Sequence, residues 1–142
     1  MASTHPFVFL VLAPFGGSWS EMHETVSRAL ESDDIDVTWA NAGAELDAPV
    51  AGRIHEYIED ADAVVADLTE LNPNVMYELG FARALKKPVL PVVAKGVERV
   101  PAVVRGRLFY VYDKEDPQTF IALLKPWLER QMAPSMIEDR VA

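Results

Sequence analysis

The sequence has no cysteine. That absence removes disulfide staples, a thiolate nucleophile and any sulfur-ligated zinc site. Long hydrophobic runs are missing too, since no segment approaches the ~20 apolar residues of a membrane-spanning helix. The opening MASTHPFVFLVLAPF has a short apolar run with no basic segment ahead of it, and proline and glycine end it early. It reads as a buried first strand rather than an export signal, so a cytoplasmic location and no membrane contact are expected. Basic residues are scarce: 13 Lys and Arg stand against 22 Asp and Glu, for a net charge of −9. Such a chain lacks the basic surface needed to neutralise many phosphates, which argues against a nucleic-acid partner. There is no internal repeat, no G-x-G-x-x-G fingerprint and no P-loop lysine. No His/Asp/Glu cluster has metal-ligand spacing, so neither a metal nor a bound cofactor is expected.

What is present suits one domain. The 142 residues are half apolar and a quarter charged, enough for a single hydrophobic core. Residues 1–132 are expected to form that domain and 133–142 a tail. Short β-branched runs alternate with helical patterns. FVFLVLA (7–13), IDVTWA (35–40), DAVVADL (62–68), KPVLPVVA (87–94) and RLFYVYD (107–113) read as strands. Between and after them, 18–32, 50–61, the segment from Asn72 and 117–132 read as helices, the first capped by Ser18 or Ser20 and the last kinked by Pro126. This alternation predicts parallel βαβ units in an open, doubly wound sheet of about five strands with helices on both faces. Ligands in such sheets bind outside the carboxyl ends of the strands, where the winding direction reverses. APFGGSW, DLTELNPN and AKGVERV would converge there.

One residue stands out in NPNVMYELG (72–80). Asn72 is a good N-cap and Pro73 a good first helical residue. At ~100° per residue, Glu78 falls within roughly 60° of Val75, Phe81, Ala82 and Leu85. A carboxylate on the packing face needs a partner, a proton or a cleft. Its place near the strand ends favours the cleft. His23 and His55 lie on amphipathic helices and read as solvated. Ser18, Ser20 and His23 form no triad, because no orienting acid accompanies them. The glycines of FGGS suit a tight turn or an anion-holding loop about equally.

Residues 61–93, ADAVVADLTELNPNVMYELGFARALKKPVLPVV, resemble the nucleoside 2-deoxyribosyltransferase-like family and its TIR-like relatives. APFG and IHEYIEDAD fit the family more loosely. The resemblance implies a flavodoxin-like (Rossmann-like) fold and a catalytic glutamate at Glu78. It implies sugar or phosphate contacts from Phe15, Gly16, Gly17 and Ser18, and site-lining roles for Asp67, Thr69 and Asn74. It further implies a small-molecule nucleoside or nucleotide ligand, with NAD a candidate substrate, and a homodimer or higher homo-oligomer. Glu138 or Asp139 of a neighbour could then complete the site. The sequence departs from the family at one point. Deoxyriboside-cleaving relatives often carry an aspartate two turns ahead of the central strand's first acid, and counting back from Asp62 puts Ile54 there. The resulting expectation is N-glycosidic cleavage or transfer on a nucleoside, nucleotide or NAD-type molecule. The alternative is a non-catalytic nucleotide-binding or TIR-like interaction module.

Overall fold

The computed structural model describes residues 6–39, 48–97 and 109–132. Five strands form one parallel sheet: β1 (Phe7–Leu12), β2 (Ile35–Trp39), β3 (Ala63–Asp67), β4 (Val89–Ala94) and β5 (Tyr110–Tyr112). Their spatial order is β2-β1-β3-β4-β5, the doubly wound order expected of a flavodoxin-like sheet. β1 pairs with β2 from Phe7↔Ile35 and with β3 from Phe9↔Ala63, so the winding reverses between β1 and β3. All five residues of β3 are buried, as are the last four of β1, because helices cover both faces.

The helices are α1 (His23–Glu31), α2 (Ala48–Asp60), α3 (Pro73–Ala84) and α4 (Pro117–Met132). One face of the sheet packs Val26 and Leu30 of α1 with Phe120, Leu124 and Leu128 of α4. The other packs Ile58 of α2 with Val75, Leu79 and Ala82 of α3. β4 carries Pro91, which cannot donate to a ladder. β5 pairs only with Val92–Ala94, beyond that proline.

Two local expectations are corrected. The helix expected over 18–32 is split into a 3-10 turn (Ser18–Glu21) and α1. Neither Ser18 nor Ser20 caps it: Gly17 and Met22 hold the cap positions, and Ser20 Oγ donates to the Gly17 carbonyl instead. α4 runs through Pro126 without interruption. The tail 133–142, with Glu138 and Asp139, lies outside the described residues.

The start of α3 follows its sequence signals. Asn72 is extended (φ −60°, ψ 126°), and its Oδ1 accepts from the backbone N–H groups of Asn74 (2.8 Å) and Val75 (3.3 Å). Pro73 occupies the first helical position, where its missing N–H is harmless. Asn72→Ala removes that acceptor. It is expected to destabilise the protein by about 1 kcal/mol, lowering the melting temperature by about 3 °C. Thermal unfolding checks this.

Candidate active site at the strand ends

Two loops meet where the winding reverses. The loop after β1 turns at Gly16, whose φ of +87° lies in the left-handed region that glycine adopts without strain. Gly17 N–H closes the turn onto the Pro14 carbonyl at 3.2 Å. Across from it runs the loop after β3, and the two touch directly: a Cβ built on Gly17 would stand 2.6 Å from Glu70 Oε2. Leu71, at φ 51°, then redirects the chain into the Asn72 cap.

Asp67 ends β3 almost wholly buried. Its Oδ2 accepts from the Tyr112 hydroxyl at 2.6 Å. Its Oδ1 accepts from the Thr69 hydroxyl at 2.5 Å and the Thr69 N–H at 3.1 Å. Thr69 Oγ1 in turn accepts from Ala94 N–H at 2.8 Å. Ser18 opens the 3-10 turn that follows Gly17 and is half-buried. Asp67, Thr69 and Tyr112 thus tie the loop after β3 to the ends of β4 and β5. Burial pushes the Asp67 carboxyl up, while its hydrogen bonds from Thr69 and Tyr112 pull the other way. Tyr112 is pushed well above the usual phenol range, first by burial and then by the Asp67 charge, so it stays a donor.

Glu78 lies six residues past the Asn72 cap, on the buried face of α3 with Val75, Leu79 and Ala82. Its relative exposure is 9%, and Oε1 is sealed from solvent with no hydrogen-bond partner. Burial alone raises its carboxyl from 4.5 to about 7. Among the described buried side-chain oxygens and nitrogens, this is the orphan. A buried carboxylate oxygen without a donor carries an uncompensated desolvation penalty. The helix-wheel reading of Glu78 holds, although Leu85 is exposed at 41% and lies off the packed stripe.

The other expected residues are spread around this centre. Phe15 is 71% exposed at the tip of the first loop. Its ring rests 5.6 Å from that of Trp39, which is pinned by Nε1–H donating to the Ala13 carbonyl. Asn74 is exposed in the first turn of α3. Neither histidine is simply solvated. His23 Nδ1 accepts from Trp19 Nε1–H at 2.9 Å, its ring lies 4.5 Å from Trp39, and burial lowers its pKa. His55 stacks on Phe81 at 4.3 Å and bonds the Tyr77 hydroxyl at 3.1 Å. Ile54 is half-buried against the α2–α3 side of the core. Among the described residues there is no cluster of three or more His, Cys, Asp or Glu able to hold a metal. Nor is any helix there long and apolar enough to cross a membrane. Sequence reading missed Tyr112. Its link to Asp67 spans 45 residues, and no local pattern announces it.

No protein-family model matches the chain, and no curated protein matches it. Solved structures do. A CMP N-glycosidase of Clostridium botulinum superposes with a TM-score of 0.57 at 21% identity, covering 82% of this chain and 96% of that one. A 2-deoxyribosyltransferase of Bacillus psychrosaccharolyticus gives 0.57 at 20% identity over 77% and 88%. The TIR domain of a Toll-related receptor of Hydra magnipapillata gives 0.58 at 19% over 82% and 93%. The chain has the fold these proteins share. The resemblance carried by residues 61–93 therefore holds at the level of the fold.

The burial of Glu78 has a pH signature. Its folded pKa lies above its unfolded one, so its stabilising share is complete below about 4.5 and is lost as pH rises through about 7. A glutamine at 78 never ionises. Glu78→Gln is therefore expected to gain stability over the natural protein between pH 5 and pH 8, by up to about 3 kcal/mol. Paired chemical denaturations at the two pH values read this out, and a constant difference would contradict it.

Proposed function

We propose that this protein binds a nucleoside, nucleotide or NAD-type molecule and breaks its N-glycosidic bond, with Glu78 as the catalytic carboxylate. The observation that carries the reading is the orphaned, buried Oε1 of Glu78 beside the strand ends. In the reaction the bond from C1′ to the base nitrogen breaks and its electron pair leaves with the base. Positive charge grows at C1′. An ionised Glu78 stabilises that charge, or captures it as a glycosyl ester that water hydrolyses or a second base displaces. Little solvent reaches the carboxylate, so its field on C1′ is weakly screened. Phe15, Gly16, Gly17, Ser18 and Asn74 contact the sugar in this proposal. Asp67 and Thr69 act one step back. Their polar atoms are committed to Tyr112, Ala94 and each other, and they hold the loops that hold the ligand. The fold shared with a CMP N-glycosidase and a 2-deoxyribosyltransferase supports the reaction class.

The second reading is a non-catalytic nucleotide-binding or TIR-like interaction module. It is favoured by Ile54, an apolar residue where deoxyriboside-cleaving relatives often carry an acid. A panel of nucleosides, nucleotides and NAD, with free base read by chromatography, separates the two. Base release is expected, and its rate rises with pH through about 7 as Glu78 ionises. Glu78→Gln is expected to lower it about 100-fold or more while retaining binding. Saturable binding with no released base would favour the interaction module instead.

A further inference from the structure

The loop after β3 brings a further carboxylate to the strand ends. Glu70 is exposed, yet its side chain lies across the glycine turn of the neighbouring loop. A Cβ at position 17 would stand 2.6 Å from Oε2 and 3.4 Å from the carboxyl carbon. A side chain at position 17 would have to displace the carboxylate end of Glu70. The turn assigned above to the sugar thus has a carboxylate beside it.

We propose that Glu70 is a specificity-determining residue: it accepts a hydrogen bond from a sugar hydroxyl and repels a 5′-phosphate, so the substrate class is the free nucleoside. The inference rests on the N-glycosidic reading and narrows it. Asp67 and Glu78, on the same strand-to-helix connection, add to the negative field. Among the described lysines, Lys114 pairs with Glu21 and Lys125 with Asp33, while Lys95, just past β4, stands 3.9 Å from Asp113, which offsets its charge. A carboxylate is an acceptor only, which suits a hydroxyl and opposes a phosphate oxygen. For a phosphate dianion about 5 Å from one carboxylate, even water-like screening leaves a penalty worth about tenfold or more in affinity.

The test uses the full chain and a panel of the common ribonucleosides and 2′-deoxyribonucleosides with their 5′-monophosphates. Base release gives kcat/KM for each pair, and calorimetry on Glu78→Gln gives Kd for the same pairs without turnover. The natural protein is expected to prefer the nucleoside at least tenfold, with the preference shrinking as salt rises. Glu70→Gln keeps the size of the side chain and removes its charge. It should cut that preference about tenfold, mainly through better use of the monophosphate, and weaken its salt dependence. Preference for the monophosphate, or an unchanged ratio in Glu70→Gln, overturns the role of Glu70 while leaving N-glycosidic cleavage standing. Charge-dependent discrimination in binding with no base released by the natural protein supports Glu70 and sinks the cleavage reading. Binding of neither class of molecule overturns both.

Discussion

Desolvation of the Glu78 carboxylate is the constraint on which the rest of the site depends. A surface glutamate is ionised at neutral pH and indifferent to its neighbours. This one lies on the packed face of α3, and one oxygen has neither solvent nor donor. Folding tolerates such a group only because the helix around it is over-determined. Asn72 caps it, Pro73 starts it, and Val75, Leu79 and Ala82 anchor it to the sheet. A helix held loosely would rotate to return the charge to water. The apolar residues of α3 therefore do two things at once, closing one face of the core and fixing the carboxylate beside the strand ends.

The loops around it are fixed by a different device. Asp67, Thr69 and Tyr112 form a buried network that joins β3 to β4 and β5. Buried polar groups are costly unless each finds a partner, and in this network the partners are present. The contrast with Glu78 is informative. One acid is fully satisfied and holds the architecture; the other, on the packed face of α3, has an oxygen left unsatisfied. Shared fold cannot make that distinction, since the same arrangement of strands and helices serves both N-glycosidic enzymes and a TIR domain. The distinction lies in individual side chains.

Much of this was visible in the order of residues. β1, and β3 up to Asp67, are apolar because both of their faces are covered, and that pattern needs no tertiary knowledge. The N-cap of α3 and the inward direction of Glu78 follow from local spacing alone. What stayed hidden depends on distant partners. Trp39 and His23 meet only when β2 and α1 pack on the same face, so His23 looked solvated and is instead enclosed by rings. Asp67 could as well have faced a ligand until Tyr112 closed on it from the far edge of the sheet. Glu70 gave no periodic signal, because its approach to Gly17 is made across two loops. The serines before α1 looked like caps, but the tight 3-10 turn after Gly17 left the cap positions to Gly17 and Met22.

The central claim is that the fold holds Glu78 as a desolvated, unpartnered carboxylate poised near neutral pH. Its most direct test is a carbon-detected NMR titration of the Glu78 side-chain carboxyl in the free protein, assigned by its loss in Glu78→Gln. The account predicts a midpoint at about 7, far above the 4.5 of an ordinary glutamate. A midpoint at or below 4.5 would show a solvated or ion-paired carboxylate and would contradict it.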